Sequence, residues 1–140
     1  MKIMLAHPCS QMHLQSETAT VCTDADTYYP MGGTFINGIA HHFSLSSPVM
    51  TYTGEDEVLV KFDGVCYLKA DKVCKCTVEM YINGSPAFSG AVDFLHANAM
   101  GNMSFPILIQ VNNGDTFQVY IKSDTANTTF TVSRLVCVFT

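Results

Sequence analysis

Hydrophobic and polar positions alternate along most of this chain with a period of two. In "EVLVKF", Val58, Val60 and Phe62 alternate with Leu59 and Lys61. In "CKCTVEMYI", Cys74, Cys76, Val78, Met80 and Ile82 share one phase, and Lys75, Thr77, Glu79 and Tyr81 share the other. In "TFQVYIK", Phe117, Val119 and Ile121 alternate with Gln118, Tyr120 and Lys122. In "FTVSRLVCVF", both phases turn apolar from Leu135 onward. Successive side chains of an extended strand point to opposite faces, so this pattern predicts half-buried strands of an antiparallel sheet. The end of the last strand is predicted to be buried on both sides.

Turn residues separate the runs: Gly32-Gly33, Asn37-Gly38, Gly54, Asp63-Gly64, Asn83-Gly84, Asn113-Gly114-Asp115 and Ser123-Asp124. Gly and Asn supply the positive φ that tight hairpins need. No long stretch has helical apolar spacing, and residues 91–102, between Gly90 and Gly101, read as a loop with at most one irregular helical turn. The expectation is an all-β fold, a single antiparallel β-sandwich of about eight strands with jelly-roll topology favoured. Residues 1–16 are rich in Met, His and Gln and show no strand alternation after Pro8, so they read as an N-terminal arm before a domain at 17–140.

Composition adds a statement about surface. Charged residues make up 14% of the 140 positions, apolar residues 48%, and mean hydropathy is +0.20. A typical globular domain is about 25% charged. A small domain this poor in charge is expected to cover part of its surface with copies of itself or with a larger assembly. Net charge is −5, and Lys61, Lys69, Lys72, Lys75, Lys122 and Arg134 are scattered. Nucleic acid binding needs clustered positive charge and is discounted. No apolar run has the length of a membrane span. The opening "MKIMLAHPCS" is too short for a signal-peptide core. Synthesis in the cytoplasm is therefore expected, with six reduced cysteines and with Asn83, Asn102 and Asn127 as turn residues rather than glycan acceptors.

Candidate chemistry is sparse. Cys74 and Cys76 could supply two ligands from one strand face, but no second pair stands at the spacing a structural zinc site uses. They continue the face of Val78, Met80 and Ile82 and are expected in the core. His7, Cys9 and His13 match no metal spacing, and adjacent rings at His41 and His42 are expected to point to opposite faces of a strand. Glu55-Asp56-Glu57, and Asp24 with Asp26, fall in turns where solvation accounts for them. No nucleophile elbow, zinc-protease helix or phosphate loop occurs, so no enzyme, cofactor or metal is expected. Without Trp, any stacking on sugars would fall to Tyr28, Tyr29, Tyr52 and Tyr67.

The order of the motifs carries more information than any one of them. "DTYYPMGGTF" is followed by "MTYTGEDEVLVKF", by a strand closing in "EMYINGSP", by "GDTFQVYIKSD" and by a final "NTTFTVSRLVCVF". Over residues 18–140 this resembles the tumour-necrosis-factor/C1q-like jelly-roll domains found in bacteriophage virion proteins. The cysteine content and the Ala/Met-rich 87–104 segment depart from that pattern. The resemblance implies a homotrimer with the C-terminal strand near the shared axis. It sets Leu135, Cys137, Phe139, Tyr120 and Tyr81 as candidate subunit-interface residues. It also implies a structural role: a head decoration or cement protein on the capsid surface, binding the major capsid protein. Met1, Ile3, Met4 and Leu5 of the arm would clasp a neighbouring capsid subunit. On this reading, deleting residues 1–14 leaves a soluble trimer that no longer binds capsids. The alternative is a receptor-binding head of a tail or fibre that recognises a host-surface glycan.

Overall fold

The computed structural model describes residues 8–87 and 91–140. Met1, Ile3, Met4 and Leu5 lie outside the described residues, and with them the expected capsid clasp. The strands in chain order are β1 (Cys9–Leu14), β2 (Thr18–Cys22), β3 (Tyr29–Pro30), β4 (Phe35–His41), β5 (Phe43–Ser46), β6 (Val49–Tyr52) and β7 (Val58–Ala70). They continue with β8 (Cys74–Ile82), β9 (Ser85–Pro86), β10 (Ala91–Leu95), β11 (Gly101–Ser104), β12 (Ile107–Val111), β13 (Thr116–Ser123) and β14 (Thr128–Phe139). The described residues contain no helix.

Two seven-stranded sheets form. The first runs β11-β7-β14-β1-β4, with β12 also on β7 and β2 also on β14; the second runs β10-β8-β13-β6-β5, with β3 on β13 and β9 on β8. All named pairings are antiparallel. The inward phases of both sheets meet in one apolar core. Phe139 of the first sheet shows how they join: its ring lies 5.0 Å from Phe62 of the same sheet, and 5.0 Å and 5.2 Å from Phe43 and Phe117 of the other.

The alternation places β7, β8, β13 and β14 as expected, and Cys74 and Cys76 sit in the core beside Val78 and Met80. Asn83-Gly84 makes the expected hairpin turn between β8 and β9, with φ of 53° and 79°.

Four expectations change. Residues 9–14 of the expected arm form β1, paired with β14 on one side and β4 on the other. Ser10, Met12 and Leu14 face inward. The alternation was masked because Ser10, a polar residue, holds an inward position and donates to Met50 Sδ at 3.8 Å. Asp63-Gly64 is no turn, because β7 runs through it. Gly64 faces the core, where a Cβ would run into the Phe105 ring. Asn37-Gly38 falls inside β4, where the pairing with β1 shifts register in a β-bulge. The 91–102 segment supplies β10 and β11 rather than a loop.

Candidate functional site

Each sheet turns one face outward, and the two differ in character. On the first sheet, one row crosses five strands: Ser104, Val65, Val136, His13 and Ile36 stand opposite one another from β11 to β4. Val65, Tyr67, Val136 and Val138 are half-buried, held low by neighbours within the sheet. Around them Leu59, Leu108 and Ile39 are 56%, 60% and 79% exposed. The charges here are few; Lys61 and Asp63 pair with each other at 3.5 Å. His13 sits within this apolar strip, and its Nδ1 is buried without a hydrogen-bond partner among the described residues.

The expected interface residues do not gather on this face. Leu135, Cys137 and Phe139 point into the sandwich and are fully buried within one chain. Strand β14 is central, between β7 and β1; the second sheet covers its inward phase, and of the apolar run from Leu135 onward only Val136 and Val138 remain for a neighbour. Tyr81 and Tyr120 lie on the other sheet's outward face, stacked at 3.7 Å.

That second outward face is polar and aromatic. Tyr28, in the loop between β2 and β3, folds over it, with its ring edge-on to Tyr81 at 5.5 Å. Its hydroxyl donates to Glu79 Oε2 at 3.3 Å. Glu79 belongs to the outward phase of β8 yet is only 2% exposed, beneath this aromatic cover. Burial, then the neighbouring Glu79 carboxylate, pushes the Tyr28 hydroxyl up to about 12, so it stays a proton donor. Lys122 Nζ rests 4.7 Å from the centre of the Tyr28 ring. Beside this cluster opens a cavity of about 400 Å³ lined by Asp26, Tyr28, Lys75, Thr77, Val92, Lys122 and Asp124.

Other candidates resolve individually. Tyr52 is buried, its hydroxyl donating to the Asp56 carbonyl at 2.6 Å, and Gly54 lies against its ring, where a Cβ would overlap. The Tyr29 hydroxyl donates to Asp24 Oδ2 at 3.2 Å, and Tyr67 belongs to the apolar face of the first sheet. His41 and His42 do not point apart: a φ of 61° at His42 turns the chain and leaves the rings 4.1 Å apart. Burial raises the thiols of Cys22, Cys66, Cys74, Cys76 and Cys137, which suits packing rather than nucleophilic chemistry. Among the described residues no group of three or more His, Cys, Asp or Glu side chains is placed to hold a metal ion. The cavity residues Lys75, Lys122 and Asp124 had no signal as a group, since they come together only through strand register.

No family model and no curated protein matches the chain. Solved structures do. The globular domain of zebrafish complement 1qA aligns over 96% of this chain and 96% of its own, at 9% identity and a TM-score of 0.61. Murine APRIL at pH 8.0 aligns over 93% and 98%, at 11% identity and a TM-score of 0.58. The Eiger TNF of S. frugiperda aligns over 94% and 92%, at 9% identity and a TM-score of 0.58. The chain therefore has the two-sheet jelly-roll fold of these TNF- and C1q-like domains.

Proposed function

We propose that this chain is a non-enzymatic structural subunit. It assembles as a homotrimer through the outward face of its first sheet, and the trimer decorates a virion capsid and reinforces the shell by binding the major capsid protein. One observation carries the assembly: the strip of Val65, Val136, Val138 and Ile36 that runs from β7 across β14 to the edge strand β4. Leu59, Leu108 and Ile39 beside it are more than half exposed. Apolar surface spread over several strands is what a subunit contact covers, and each Val or Leu side chain taken out of water contributes roughly 1.5–3 kcal/mol. The resemblance of the motif order to virion jelly-roll domains supports both the threefold assembly and the setting.

The action would be mechanical. A trimer that touches several capsid subunits opens only when all its contacts fail together. Sedimentation equilibrium should give three times the 15.3 kDa chain mass. The trimer should then bind undecorated heads to saturation and raise the temperature at which they rupture. A monomer at micromolar concentration removes the assembly; a trimer that ignores heads removes the decoration role.

A further inference from the structure

We infer that the cavity on the outward face of the second sheet is a saccharide-binding site. The inference stands apart from the trimer reading, since it uses the opposite face of the sandwich.

The register of β8 and β13 builds the site. Lys122 stands directly opposite Thr77, which places Lys75 at the diagonal position on the same face, about 7–8 Å away between Cα atoms. Neither lysine forms an ion pair within the described residues. On the rim, Asp124 Oδ1 accepts from the Lys75 backbone N–H at 2.8 Å and from Thr125 Oγ1 at 3.0 Å. No described residue bonds its Oδ2. Asp26 also lines the cavity, and its side chain makes no bond to a described residue. Two ammonium donors and two carboxylate acceptors thus converge on one volume, over the Thr77 floor.

Val92, opposite Thr77, gives the cavity an apolar side and is 51% exposed. Outside the lining but on the same outward phase of the edge strand β10, Phe94 stands opposite Lys75 and is 71% exposed. Tyr28 closes the other side, kept protonated by its burial beside Glu79. A 400 Å³ cavity lies toward the small end of ligand clefts, about 300–1,000 Å³.

This combination selects its ligand. An anion is opposed by Asp26, Asp124 and the nearby Glu79. A cation is opposed by Lys75 and Lys122. An apolar molecule would bury four charged groups against nothing. A sugar ring carries hydroxyls that donate to carboxylates and accept from ammonium groups, and an apolar face that packs on an aromatic ring such as Phe94 beside the cavity.

The test is an array of glucose-, galactose-, N-acetylhexosamine- and uronate-terminated oligosaccharides probed with the full chain. Saturation-transfer NMR at millimolar concentration of the best-retained saccharide then follows, with wild type, Phe94→Ala and Asp26→Asn. Both replaced side chains are exposed, and circular dichroism checks that each variant is folded. Retention on the array, with at least about a tenfold loss of affinity in Phe94→Ala and a loss in Asp26→Asn, is expected. The inference is overturned if no saccharide is retained, if the folded variants bind as well as wild type, or if the cavity takes only free amino acids or an extended peptide.

Discussion

Phe139 meets aromatic rings from both sheets, and what it does follows from that contact rather than from its place near the end of the chain. Its replacement by Ala leaves a void between Phe43, Phe62 and Phe117, so a loss of about 3–5 kcal/mol is expected. A urea titration reads it as a lower midpoint, and an unchanged midpoint would return Phe139 to the surface. The thiols make a second prediction. Burial raises Cys22 to about 11 and Cys66 to about 12, from an ordinary 9.0. Below pH 9 the folded and unfolded chains both keep these protons, and the contribution to stability is fully present. As pH rises beyond 9 the unfolded chain releases them first, and the contribution is lost towards 11 and 12. The urea midpoint should therefore fall between about pH 8 and about pH 10.5, and a midpoint level across that range would show that these thiols are accessible.

Strands obey the same distinction between pattern and placement. The phase of β14 was plain in its alternation, but alternation alone does not say which phase faces in. Leu135, Cys137 and Phe139 look as suited to a subunit contact as Val136 and Val138 until the second sheet is seen packed on their face. In β7 the Asp63-Gly64 pair has the composition of a turn, and only the Phe105 ring against Gly64 explains a glycine in mid-strand. Strand β1 has a direct consequence. It lies between β14 and β4, so deleting residues 1–14 would detach the edge strand β4 and strip one side of β14 of its partner. That deletion is expected to yield an aggregated or unfolded protein, in place of the soluble trimer that an arm would allow. Gel filtration and circular dichroism decide it: a folded, soluble product would show that β1 is dispensable.

For the whole molecule, the two outward faces predict separable behaviour. Val136→Asp places a charge in the middle of the apolar face without touching the core. It is expected to lower the mass in solution to that of one chain, while the far-ultraviolet spectrum of a β-protein is retained. Phe139→Ala should do the reverse, losing stability while any surviving folded protein keeps its assembly. If Val136→Asp leaves a trimer intact, the subunit contact lies elsewhere. The low charge content, 14% of residues, fits a molecule with one face covered, but composition has no direction and does not say which face.

The period-two alternation was enough to establish an all-β sandwich, the long strands and the burial of Cys74 and Cys76, because a strand with one apolar phase has few other ways to bury it. The order of the turn and strand motifs was enough to indicate the jelly roll. Three things depended on the chain being folded. One was which phase of β14 meets the core, set by the second sheet, whose Phe43 and Phe117 pack on Phe139. Another was the inclusion of residues 9–14 in the sheet, which needs β14 and β4 as partners. The third was the cavity, whose Asp26, Lys75, Lys122 and Asp124 are drawn together from distant parts of the chain by the register of β8 against β13 and the return of the β2–β3 loop. Local pattern reports which side of a segment avoids water; cross-strand register, a long-range property, decides what that side and its opposite come to touch.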